Sequence, residues 1–198
     1  MHDSSNAPLP HLTPDQAKGH LTVVLGGARS GKSSFAVYLG QQAAASGRDV
    51  AFIATSPQIP GDGDLDARIA AHRSERPSAW LTIEEEVDLP SAILRVESSA
   101  MVIVDCVTLW VSNLMHQDAS EHHVLDAANH VLVALRSRLG PSLLISNEVG
   151  MGIVPMNALA RSYRDVLGRV NQRFVAASDK ALLMVAGRAL PLVDFETA

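Results

Sequence analysis

The sequence predicts an α/β fold in which helices cover a mostly parallel sheet on both faces. Three observations carry that expectation. Continuous aliphatic runs of strand length alternate with segments of helical periodicity, and the runs lack the in–out alternation of a half-exposed sheet. A Gly-rich phosphate-loop signature falls between the first such run and the first helix. The 198 residues are 47% hydrophobic and only 19% charged, which excludes wholesale disorder and allows a sizeable core.

Residues 1–20 carry Pro8, Pro10 and Pro14 among polar groups and lack an apolar signal core, so they read as a flexible N-terminal tail. A single domain is expected over residues 21–198. Residues 21–25 (LTVVL) form the first strand, closed by Gly26 and Gly27. An Ala-rich helix over 33–46 ends at Gly47. Residues 50–54 (VAFIA) and 101–105 (MVIVD) are the second and third strands. Between them, residues 61–64 (GDGD) mark a surface loop before a short helix carrying Arg68, Ile69 and His72. Helical periodicity resumes over 124–139 and stops at Gly140-Pro141. Residues 142–146 and 182–186 complete the set of strands, with an amphipathic stretch over 167–174 between them.

Several function classes are disfavoured at the outset. The net charge of −5 and the 4% aromatic content argue against a phosphate-neutralising nucleic-acid binder. No apolar stretch approaches the roughly 18 residues of a membrane helix. A single cysteine, Cys106, excludes an intramolecular disulfide and fits a reducing, cytoplasmic setting.

Gly26, Gly27, Ala28, Arg29, Ser30, Gly31, Lys32 and Ser33 match G-x-x-x-x-G-K-[ST] at every fixed position. The chemistry needs these residue types: glycines let backbone N–H groups wrap a phosphate, and the helix N-terminus adds partial positive charge. Lys32 reaches the β- and γ-phosphates, and the Ser33 hydroxyl ligates Mg²⁺. Asp105, ending an aliphatic strand, is the matching carboxylate, able to hold Mg²⁺ or orient an attacking hydroxyl; a helix N-cap is the plainer role for an aspartate so placed. A second cluster, Arg68, His72, Arg73 and Arg76, sets one imidazole among three guanidiniums. Neighbouring cations keep an imidazole neutral and nucleophilic and stabilise an anion beside it. A solvated helix with a half-exposed histidine is the plainer reading. Glu148, in the loop after the fourth strand, reads either as a cap or as a contributor to the substrate or metal side.

With these blocks in place the chain resembles the bifunctional adenosylcobinamide kinase/adenosylcobinamide-phosphate guanylyltransferases of cobalamin biosynthesis. The resemblance runs from about residue 21 to 187. It rests on the phosphate loop, Ile53-Ala54-Thr55, Arg68-Ile69, His72-Arg73, Arg76-Pro77, Asp105-Cys106-Val107-Thr108-Leu109-Trp110 with Asn113, residues 147–155 (NEVGMGIVP) and residues 168–172 (GRVNQ). It implies a RecA-like P-loop NTPase fold and two successive activities. The first phosphorylates the aminopropanol hydroxyl of adenosylcobinamide. The second transfers GMP from GTP, by way of a guanylylated histidine that falls on His72, to adenosylcobinamide phosphate. GTP-contacting positions fall on the phosphate loop, Thr55, Arg73, Ser74, Glu75, Arg76, Glu84 and Asp105. GTP, ATP and Mg²⁺ are the implied cofactors, the corrinoid is the implied partner, and a homo-oligomer is expected, with a trimer among its forms. Two rivals stay open: a RecA-like ATPase, and a single-activity small-molecule kinase in which His72 is structural.

Overall fold

The computed structural model describes residues 19–57 and 77–194. Within them the chain forms β1 (Leu21–Gly26), α1 (Lys32–Ala45), β2 (Val50–Ala54), β3 (Leu81–Glu84), α2 (Leu89–Arg95) and β4 (Met101–Asp105). It continues through α3 (Val107–His116), α4 (Glu121–Arg136), β5 (Ser142–Ile145), α5 (Ala158–Ala176), β6 (Lys180–Val185) and β7 (Arg188–Leu192). The strands make one sheet in the order β3-β2-β4-β5-β1-β6-β7, parallel throughout except for β7, which runs antiparallel to β6. One strand, β5, thus separates the phosphate-loop strand β1 from the Asp105 strand β4, the arrangement of RecA-like P-loop folds.

Strand pleating explains the unbroken aliphatic runs. Along β1, Leu21, Val23 and Leu25 face a core shared with α2 to α5, while Val24 faces the opposite layer, where α1 and Trp80 lie. Both sides of each central strand are buried, so hydrophobicity is continuous and no period-2 signal survives. The strands missed at the sequence level are the edges. β3 is largely exposed, and β7 exposes most of its residues and carries Pro191, as edge strands tolerate.

The boundaries also shift. α4 covers Glu121–Arg136 where residues 124–139 were expected, because the Ser120 hydroxyl accepts from the His123 N–H at 3.3 Å and starts the helix early. His122 and His123, expected ahead of the helix, lie in its first turn, with His122 3.1 Å from Asp126. Residues 1–18 of the expected tail, and the short helix expected around Arg68, lie outside the described residues. Gly19 and His20 already belong to the fold: Gly19 N–H donates to Leu139 O and the Ser142 N–H to His20 O at 2.8 Å.

Arg138 fastens one end of the sheet. Its buried guanidinium donates to the carbonyls of Ile93, Val96, Glu97 and Ala100 at 2.8–3.1 Å, meeting acceptors left over at the end of α2.

Helix α1, which carries Lys32 and Ser33, packs through Gly40. A Cβ there would lie 2.3 Å from Trp80 Cη2 and 3.0 Å from Ile103 Cδ1. Overpacking of this kind costs about 1–3 kcal/mol, against which Ala gains at most about 1 kcal/mol of helix propensity. Gly40→Ala is therefore expected to lower the melting temperature by about 2–8 °C in a thermal scan, with the helical circular-dichroism signal retained.

Candidate functional site

The carboxyl ends of the parallel strands meet along one edge. Cross-strand register places Val24, Ile145, Asp105, Ala54 and Glu84 at one level. Loops leaving that level therefore open on a common crevice, where open α/β sheets bind ligands.

The phosphate loop, residues 26–33, leaves β1 there. Gly26 has φ 152°, and a Cβ on it would lie 2.4 Å from Met184 O. Only glycine lets β1 end this close to β6. The β6–β7 turn, Ala186 and Gly187, supports the loop from the side: Gly187 N–H donates to Ser30 O at 2.9 Å. Gly27, Ala28 and Arg29 form an exposed apex, with Arg29 at φ 57°.

Lys32 is held beneath that apex. Its side chain is buried, and Nζ donates to Gly26 O at 2.9 Å, Gly27 O at 2.7 Å and, more weakly, Ser30 Oγ at 3.4 Å. Burial holds its pKa below the usual lysine value, while the negative charge of Asp105 opposes the shift. Three ammonium donors thus point among the loop's oxygens, in the position from which a bound phosphate draws charge-assisted hydrogen bonds.

Across the crevice Ser33 Oγ donates to Asp105 Oδ2 at 3.1 Å. The two side chains are 72 positions apart in sequence. A hydroxyl and a carboxylate at this separation are the hard oxygen donors that Mg²⁺ takes from a protein when phosphates and waters fill its other positions. Asp105 does not cap α3: Cys106 occupies that position, with no side-chain cap bond.

Thr55 supports Asp105. Its hydroxyl accepts from Cys106 N–H at 2.8 Å and donates to Cys106 O at 2.7 Å, and its own N–H donates to Asp105 O. The residue is fully buried, so its hydroxyl fixes the end of β4 rather than opening onto the crevice. Asn113, on α3, completes the brace by donating to Thr55 O at 2.8 Å and Glu86 O at 3.0 Å. A second brace lies behind β5. Thr108 Oγ1 accepts from Asn147 N–H at 2.7 Å, Asn171 donates to Asn147 O, and Tyr163 donates to Thr108 O. Burial and the Cys106 charge push the Tyr163 phenol well above its usual pKa, so it stays a donor.

Sequence reasoning did not find the parts played by Thr108, Gly187 and Tyr163. A side chain that acts by bonding a distant backbone leaves no local spacing to detect. The Ala186-Gly187 pair ahead of a short apolar run was the one readable turn signal. Glu84 stands at the end of β3, four strand spacings from β1, or roughly 19 Å. It is at the far end of the same edge. His72, Arg73, Ser74, Glu75 and Arg76, with Arg68, lie outside the described residues.

The chain is similar to known proteins in sequence and in fold. Residues 22–192 match the family model described as cobinamide kinase / cobinamide phosphate guanyltransferase. The chain is 42% identical over 173 residues to the bifunctional adenosylcobalamin biosynthesis protein CobP of Pseudomonas aeruginosa, covering 86% of this chain and 95% of that protein. It is 37% identical over 180 residues to the bifunctional adenosylcobalamin biosynthesis protein CobU of Escherichia coli, covering 84% and 96%. A protein of the same name from Salmonella typhimurium matches to the same extent. Among solved structures the flagellar accessory protein FlaH of Methanocaldococcus jannaschii superposes with a TM-score of 0.52 at 13% identity, over 89% of this chain and 79% of that one. At that identity the likeness concerns the fold.

The single cysteine gives the site a built-in reporter. Burial, reinforced by the Asp105 charge, raises the Cys106 pKa to about 11. At pH 8 its thiolate fraction is then on the order of a hundredfold below that of an ordinary thiol. Labelling by a disulfide reagent is expected to be correspondingly slower in the native protein than in denaturant. Asp105→Asn removes the neighbouring anion, lowers the thiol pKa and speeds native labelling by up to roughly tenfold, read as absorbance against time.

Proposed function

The chain belongs to the cobinamide kinase / cobinamide phosphate guanyltransferase family, and on that premise we propose that it is a bifunctional transferase acting on a corrinoid. It phosphorylates the side-chain alcohol of adenosylcobinamide and then converts adenosylcobinamide phosphate to adenosylcobinamide-GDP with GMP taken from GTP. The observation that carries this reading is the site itself. A buried Lys32 under the phosphate loop and the Ser33–Asp105 pair share one sheet edge, in a chain that the family model spans almost end to end.

Each step assigns work to named residues. In the kinase step the alcohol oxygen bonds to the γ-phosphorus of ATP or GTP, the bond to the bridging oxygen breaks, and the nucleoside diphosphate leaves. The phosphate-loop N–H groups and Lys32 take up the charge on the phosphoryl oxygens. Ser33 and Asp105 would hold Mg²⁺, which when bound supplies further neutralisation of phosphate charge. In the guanylyl step an imidazole nitrogen of His72 bonds to the α-phosphorus of GTP and pyrophosphate leaves. A phosphate oxygen of adenosylcobinamide phosphate then displaces the histidine. Arg73, Ser74, Glu75 and Arg76 are assigned to the transferred nucleotide, Glu84 to its nucleoside end, and Thr55 to the support of Asp105.

The protein is assigned to the cytoplasm as a single domain over 21–198 and as a homo-oligomer, with the trimer implied by the resemblance. No helix among the described residues is long and apolar enough to cross a membrane. Ile153 and Met156, almost fully exposed beside Met151, supply apolar surface of the kind a large corrinoid or a neighbouring subunit would cover.

Two variants test the scheme. Lys32→Ala is expected to lower both phosphorylation and self-guanylylation by about a hundredfold or more, because one loop serves both reactions. Near wild-type guanylylation in that variant would require a second nucleotide site. With α-labelled GTP, the label should stay on denatured protein, resist alkali and be lost in acid, as a phosphoramidate does. His72→Ala should abolish it together with guanylyl transfer, while phosphorylation of the alcohol continues. Label found on a peptide lacking His72 would refute its assignment as the nucleophile, and a protein that retains no α-label would favour the single-activity kinase reading.

A further inference from the structure

We propose that Glu148 is the general base of the kinase step, accepting the proton of the corrinoid alcohol as its oxygen attacks the γ-phosphorus. The inference rests on the kinase reading above and assigns a group that reading leaves without one. Asp105 at the end of β4 has its Oδ2 facing Ser33 Oγ at 3.1 Å, on the metal side. Glu84 stands three strands further along the edge than β5, and Glu85 Oε1 accepts from the backbone N–H groups of Val87 and Asp88.

Glu148 is placed by β5, the strand between β1 and β4, whose register sets Ile145 level with both Val24 and Asp105. The chain leaving Ile145 therefore enters the gap between the phosphate loop and Asp105. It is pinned there by its own backbone: Glu148 N–H donates to Gly26 O at 3.1 Å, the carbonyl that also accepts Lys32 Nζ at 2.9 Å. Those two legs hold the Glu148 nitrogen within about 6 Å of the ammonium that meets the terminal phosphates.

The carboxylate itself is oriented. Oε1 accepts from Gly150 N–H at 2.8 Å, and a Cβ at position 150 would sit 2.8 Å from that same oxygen. Gly150 thus provides both the donor that fixes the carboxylate and the empty space it occupies. Glu148 is only partly buried, so a substrate from solvent can reach its second oxygen. In the step, the O–H proton passes to Glu148 as the O–P bond forms and the diphosphate leaves, and the proton is later released to water.

The test measures transfer from γ-labelled ATP to adenosylcobinamide. Glu148→Gln keeps size and shape but cannot accept the proton, and kcat is expected to fall a hundredfold or more, with the KM for ATP within about threefold of wild type. Gly150→Ala, an exposed change that leaves the carboxylate in the chain but displaces it, is expected to lower kcat at least tenfold, again without a change in the ATP KM. A Glu148→Gln enzyme with kcat within threefold of wild type overturns the proposal, as does a loss confined to KM. Should Glu148→Gln fail to fold, as judged by thermal melting, Gly150→Ala decides the matter in the same way. A wild-type protein that phosphorylates no alcohol overturns the kinase reading itself, an outcome seen before any substitution is made.

Discussion

The buried ammonium of Lys32 sets the terms for the rest of the site. A cation removed from water is tolerated only where oxygens replace its hydration, and here Gly26 O, Gly27 O and Ser30 Oγ do so. To aim those oxygens downward the loop must turn at Gly26 with φ 152° and at Gly31 with φ 99°, and pass close to Met184 and Gly187. The same Gly26 carbonyl accepts the Glu148 N–H. One loop therefore ties β6, β1 and β5 together, and its conformation depends on both neighbours.

Beyond the loop, the sheet edge is stiffened by backbone-directed side chains. Thr55 and Asn113 brace the end of β4 on one side of Asp105, and Thr108, Asn171 and Tyr163 brace the segment after β5 on the other. Thr55, Thr108 and Asn171 are buried and Asn113 and Tyr163 half-buried, and each bonds the backbone of another segment, so a shift in one breaks bonds to its neighbours, which favours a single arrangement. Gly27 to Arg29 at the apex and most of Met151 to Met156 beyond Glu148 are open to solvent. Rigidity below and access above suit a site that must hold phosphates in line while admitting a bulky second substrate.

The division between the two reactions follows from the same layout. Lys32, Ser33 and Asp105 gather at the β1–β4 end of the edge, and Glu84 stands on β3 roughly 19 Å from β1. The proposed scheme therefore places phosphate chemistry at the β1–β4 end of the edge and leaves the β3 end for the nucleoside.

Taken by itself, the sequence determined the elements whose signal is local. The eight-residue phosphate loop, the helix it opens, and the five buried strands were all legible, since a glycine turn and an aliphatic run on a doubly covered sheet leave their mark within a few residues. The edge strands were not, because β3 and β7 have exposed faces and no continuous apolar run. Tertiary structure alone decided the strand order, and with it that Ser33 reaches Asp105 across 72 positions, that Thr55 turns inward onto Cys106, and that Glu148 hangs from the carbonyl of Gly26. Those relations are hydrogen bonds between segments far apart in the chain, and the register that brings them together is a property of the packed sheet, written in no single stretch of residues.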